Sequence, residues 1–81
     1  MYIDVDKNNR LGKEIERRRT ELSLSYRELS KRSNVAYETI KAIEDGFKEK
    51  VQLPTLIKIS KGLDCTVKDL LEKWFVKILT K

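Results

Sequence analysis

The sequence predicts an all-α fold of five short helices behind a short N-terminal arm. Three observations carry this. Apolar residues recur three or four positions apart in separate stretches, as one buried helix face requires. Two capping boxes mark helix starts, Ser25-x-x-Glu28 and Thr66-x-x-Asp69. Asn34, Gly46 and Pro54 punctuate the chain where turns or helix ends fall.

Residues 1–9 read as an arm, in which Tyr2, Ile3 and Val5 have strand character but nothing fixes a strand. Asn8 or Asn9 is the expected cap of a first helix over Arg10 to about Leu22, with Leu11, Ile15 and Leu22 on its inner face. The second helix runs from the Ser25 cap to about Ser33 and turns Leu29 inward. Asn34 tolerates a left-handed backbone, so a tight turn fits there, followed at once by apolar Val35. The third helix covers about Tyr37 to Asp45, with Ile40 and Ile43 inside, and Gly46 ends it. Residues 47–53 read as a loop. Pro54 suits the first position of a fourth helix carrying Leu56, Ile59 and Leu63. Thr66 opens the fifth, with Val67, Leu70 and Leu71, and the chain stays apolar through Leu79. The expected organisation is an arm (1–9), a helical domain (10–73) and an apolar tail (74–81).

At 81 residues the chain fits one domain with a thin core, which a second copy would augment. Eighteen basic against 13 acidic residues give a net charge of +5 and favour a polyanionic partner. With no histidine, neither a His-ligated zinc nor a His general base is available. No glycine-rich phosphate loop or acid/base pair is evident, so no enzyme activity, cofactor, metal or small-molecule ligand is expected. The lone Cys65 excludes an internal disulfide and suits a reducing compartment. MYIDVDKNN lacks the regions of a signal peptide, and no apolar run is long enough to span a bilayer. The expected location is the cytoplasm, at the nucleoid, with no membrane partner.

The stretch SYRELSKRSNVAYETIKAIEDG, residues 25–46, is short helix, sharp turn, short helix. Its inward residues hold the two helices at a steep angle and leave one face of the second free. A B-form major groove admits one such helix while the first crosses the phosphate backbone. Tyr37, Glu38, Lys41 and Ala42 form the outward set and are the expected base readers. Tyr26 and Arg27 open the preceding helix, where free N–H groups favour a phosphate oxygen. With Thr39, Lys48 and Lys50 they make the expected phosphate-contacting set.

LSYRELSKRSNVAYETIKAIEDG followed by LPTLIKISKGLDCTVKDLL resembles the phage repressor and Cro (Xre-like) family of helix-turn-helix regulators, over roughly Leu11 to Glu72. The resemblance implies a five-helix repressor-like domain, a sequence-specific double-stranded DNA site and a homodimer on a partly palindromic operator. It also places Arg19 opposite Glu44 as a structural ion pair. Length and the tail LLEKWFVKILTK are similar to the controller proteins of restriction–modification systems. An antitoxin or protein-interaction adaptor on the same fold is the alternative. The pattern is departed from at Asn34 (for the usual turn glycine), Ala36 (for a Ser or Thr cap), Gly62 (for alanine) and Asp64 (for glycine). Glu38 is the departure that bears on reading: phosphates repel a carboxylate, yet it accepts from cytosine N4. Val67, Leu70, Trp74, Phe75 and Ile78 are the expected dimer residues. Cys65 reads as a small core residue.

Overall fold

The computed structural model describes residues 1–71. Its elements in order are β1 (Tyr2–Asp4), α1 (Arg10–Glu21), α2 (Tyr26–Ser33), α3 (Tyr37–Glu44), β2 (Lys50–Gln52) and α4 (Leu53–Gly62). A fifth helix, α5, begins at residue 67, and 67–71 are its described part.

Both capping boxes form. Ser25 Oγ accepts the Glu28 N–H at 3.1 Å while Glu28 Oε1 accepts the Ser25 N–H at 2.9 Å. The Thr66–Asp69 box repeats this at 3.1 and 2.9 Å. Bonds donated to the charged form hold both carboxyls, Glu28 and Asp69, below the usual carboxylate range. Asn34 has φ 58°, Asp64 φ 56° and Gly46 φ +83°, so all three turns use left-handed backbone. Asp64 tolerates it in place of glycine, and Arg32 pairs with its carboxylate at 2.8 Å. Ala36 supplies no side-chain cap to α3.

Among the described residues, twelve buried apolar side chains form one core. Leu11 and Ile15 of α1, Leu29 of α2, Val35 of the turn, Ile40 and Ile43 of α3, and Leu56 and Ile59 of α4 meet there with Leu63, Leu70 and Leu71. Ile15, Leu29, Ile40, Leu56 and Ile59 are wholly buried, each worth about 1.5–3 kcal/mol of transfer free energy.

The structure departs from the sequence expectations in four places. First, β1 pairs antiparallel with β2, so part of the expected arm is stitched to the expected loop. The register sets Tyr2 against Gln52, Ile3 against Val51 and Asp4 against Lys50, with Val51 in the core. Three-residue strands carry too little alternation to be read locally. Second, Leu22 is not an inner residue: it follows the last turn of α1 and is exposed, while Leu24 packs on the core instead. Third, Asp6 rather than an asparagine caps α1, its Oδ1 accepting the Arg10 N–H at 2.8 Å. Asn9 sits at the N-cap position with φ 51° and faces the other way. Its Nδ2 donates to the Ile43 and Glu44 carbonyls at 3.1 and 3.0 Å, closing the C-terminal end of α3. Fourth, Leu70, expected at a dimer interface, is buried in the monomer's own core, where it adds apolar burial to a thin domain. Val67 packs partly buried against the same core. Trp74, Phe75 and Ile78 lie outside the described residues.

Candidate nucleic-acid interface

α3 is eight residues long and is held on one side only. Ile40, Ile43 and Glu44 point inward and are buried. At 100° per residue this leaves Glu38, Lys41, Ala42 and Asp45 around the opposite face, with Tyr37 and Thr39 on its two flanks. Glu38, Lys41 and Asp45 are exposed, and Tyr37, Thr39 and Ala42 are half-buried.

The inner side is clamped by Glu44. Its two carboxylate oxygens take Arg19 Nε at 2.8 Å and Nη2 at 3.0 Å, the bidentate geometry that suits a guanidinium. The Glu44 side chain is 0% exposed and that of Arg19 12%. Arg19 Nη1 donates to the Leu24 carbonyl at 2.8 Å, tying in the turn before α2. The Tyr26 ring lies 4.2 Å under the same guanidinium. The bonds from Glu44 push the Arg19 pKa further up, and burial pushes the Tyr26 phenol up. One arginine therefore links α1, the α1–α2 turn, α2 and α3. Tyr26 spends its ring on this brace, although its place at the start of α2 still leaves it near the surface.

Arg27 is exposed at the first turn of α2, and its guanidinium lies 5.0 Å over the Tyr37 ring. That stack joins an expected phosphate contact to an expected base reader across the turn. Lys41 is not free: its Nζ meets Asp45 Oδ2 at 2.9 Å, which raises its pKa and competes with any base edge. Asp45 was not among the expected site residues. Thr39, Lys48 and Lys50 come together on the flank of α3 away from α2, beside Tyr2, Gln52 and Thr55. These last three were missed as well. No local signal marks them, because Tyr2 and Gln52 reach the flank through the β1–β2 pairing and Thr55 through the first turn of α4.

Arg17 and Arg18 form a solvated face, both bonded to Glu14 within α1. Cys65 is half-buried against the core, and burial pushes its thiol up, away from reactive thiolate. No helix among the described residues is long and apolar enough to cross a membrane.

The family model for the Cro/C1-type HTH DNA-binding domain matches residues 14–73. Among solved structures, the chain is similar to the restriction–modification controller protein C.AhdI from Aeromonas hydrophila, with 24% identity over 75% of this chain and 91% of that one, at a TM-score of 0.70. The wild-type restriction–modification controller protein C.Esp1396I is 23% identical over 90% of this chain and 94% of its own, at a TM-score of 0.72. A chain of the SinR protein/SinI protein complex is 26% identical over 85% of this chain and 75% of its own, also at 0.72. No curated protein matches the chain. With a family model covering most of its length and a clamped, outward-facing α3, this chain belongs to the Cro/C1-type helix-turn-helix DNA-binding regulators.

Proposed function

We propose that the protein is a sequence-specific regulator that binds a partly palindromic duplex operator as a homodimer, in the manner of a repressor or a restriction–modification controller. The observation that carries the reading is the division of α3 into a buried face locked by Glu44 and an outer face that no other element among the described residues covers. Tyr37, Glu38 and Ala42 meet base edges in the major groove, with Lys41 available once Asp45 releases it. Arg27 and Tyr26 approach one phosphate strand, and Thr39, Lys48 and Lys50 the other. Residues 10–73 are the DNA-binding unit, and the nucleoid is where it acts. The likeness to two controller proteins supports the controller reading.

Selection of bound sequences from a random duplex pool tests the base-reading assignment. Glu38→Ala is expected to change the preferred base at one half-site position and to cost about 1–3 kcal/mol on the selected site. Tyr37→Ala is expected to do the same and also to release Arg27. Unchanged preference at every position in both variants would remove these residues from base readout.

The homodimer rests on the tail. A monomer reads too few base pairs to pick one site, whereas two recognition helices about 34 Å apart match one turn of DNA. With Leu70 committed to the monomer core, the interface reduces to Val67 and the apolar residues of 74–81, led by Trp74, Phe75 and Ile78. Replacing Trp74 and Phe75 together with alanine is expected to shift sedimentation toward monomer and to weaken operator binding while helix content is retained. A wild-type protein that sediments as monomer at tens of micromolar, and fills its half-sites independently, would refute the dimer.

A further inference from the structure

The β1–β2 strand pair lends Val51 and the partly buried Ile3 to the core on its inner side, and its outer face is polar. In an antiparallel pair, residues directly opposite one another point to the same side. Ile3 and Val51 therefore share the inner side, and Tyr2, Gln52, Asp4 and Lys50 share the outer one. Tyr2 is 59% exposed. Gln52 Nε2 donates to Tyr2 Oη at 3.2 Å. That bond uses an oxygen lone pair and leaves the phenol O–H to donate outward.

This outer face runs into a shallow concavity of about 200 Å³ against α3, walled by Thr39, Lys48, Lys50, Gln52, Thr55 and Tyr2. Its polar atoms are mostly donors: two ammonium groups, two threonine hydroxyls and a phenol. Arg10, Arg17, Arg18, Arg19, Arg32 and Lys41 are engaged with carboxylates, whereas Lys48 and Lys50 pair with no carboxylate among the described residues. The concavity also opens beside the first turn of α4, whose dipole adds positive potential. It is continuous with the Thr39 flank of α3. A duplex seated on α3 brings its sugar–phosphate strand past that flank, so a phosphodiester oxygen is the acceptor this donor set fits. Carboxylates oppose it: Asp4 stands opposite Lys50 on the same side of the strand pair, and Asp6, Asp45 and Glu49 line the adjoining concavity that Lys48 and Lys50 also border.

We propose that the β1–β2 strand pair is a second contact to the DNA backbone, in which Tyr2 and Lys50 hold one phosphodiester group beside α3 and Asp4 limits how tightly they do so. The proposal rests on the DNA-binding reading above and adds the N-terminal strand to it. It makes the first residues of the chain part of the binding surface through a pairing partner 50 positions away.

Binding of a labelled random-sequence duplex, followed by fluorescence anisotropy over a range of NaCl concentrations, tests it. Lys50→Ala is expected to lower the slope of log K against log salt by about 0.9. Tyr2→Phe keeps the ring, removes the donor, and is expected to weaken binding about three- to tenfold with the slope unchanged. Asp4→Asn is expected to tighten binding more than Asp64→Asn, which adds the same net charge at the turn after α4. Lys61→Ala, at the far end of α4, is the control and is expected to leave the slope alone. Thermal melts identify any variant whose fold has changed. If the wild type binds and Tyr2→Phe binds equally well, the strand-pair contact is overturned even when Lys50→Ala lowers the slope, because a lysine at the start of β2 needs no β1 to reach a phosphate. A wild type that binds no duplex would overturn the DNA-binding reading itself.

Discussion

Glu44→Ala is expected to lower the free energy of unfolding by about 3–5 kcal/mol, the cost of stripping one partner from a buried ion pair. The geometry supports a value in this range rather than that of a surface pair. The Glu44 side chain is completely out of solvent, and both of its oxygens are used by Arg19. Without Glu44, the Arg19 guanidinium keeps one bond to the Leu24 carbonyl and the Tyr26 ring, and loses its only neutralising charge in the brace. A domain of this length holds about 4–12 kcal/mol of net stability, so the loss is a large share of the total. The contrast is Asp45→Ala on the same helix. Asp45 pairs with Lys41, whose side chain is 55% exposed, and such pairs are worth about 0–1 kcal/mol. Urea unfolding followed by circular dichroism reads the difference. Equal midpoints for the two variants would mean that Arg19 and Glu44 contribute no more than a surface contact.

Gly12→Ala is expected to destabilise the fold by about 2 kcal/mol or more, against what helix propensity predicts. Alanine in a helix interior is favoured over glycine by about 1 kcal/mol. Gly12, however, is the point where α1 lies against the end of α3. A Cβ built there would overlap the Ile43 carbonyl oxygen and the Asn9 amide. The carbonyl is backbone, so relief requires moving one helix off the other. Asn9 cannot step aside without abandoning the Ile43 and Glu44 carbonyls it caps. Overpacking costs about 1–3 kcal/mol in ordinary cores, and here it also strips a helix end of its partner. Unlike Glu44→Ala, this change leaves every charge in place. A higher melting temperature for Gly12→Ala than for wild type would show that α1 and α3 separate freely and that the contact is not limiting. DNA affinity is expected to fall with stability in both variants, since α3 is presented only while its inner face is held.

What the chain alone revealed and what it concealed divide by sequence separation. The capping boxes at Ser25 and Thr66 join residues three apart. The left-handed turns at Asn34 and Gly46 are single-residue properties, and the inner residues Leu29, Ile40, Ile43, Leu56 and Ile59 follow helical spacing. All of these were legible because a few neighbouring residues determine them, and with them came the outward face of α3. The Arg19–Glu44 pair, 25 positions apart, entered through family resemblance and not through any local pattern. Contacts still further apart were not legible at all. Asn9 looks like a helix cap by type and position, but the orphan carbonyls it serves belong to a helix 34 residues on. Leu22 and Leu24 are both apolar, and only the left-handed turn at Ser23 decides which one reaches the core. Leu70 is apolar on a helix whose partner the sequence does not name, and only the packed structure assigns it to the monomer's own core. Tyr2 reaches the Thr39 flank of α3 only because Ile3 finds Val51. Short-range hydrogen bonding and periodicity leave a signature in neighbouring letters, whereas the pairing of distant segments depends on how separately formed helices pack, which no window of sequence contains.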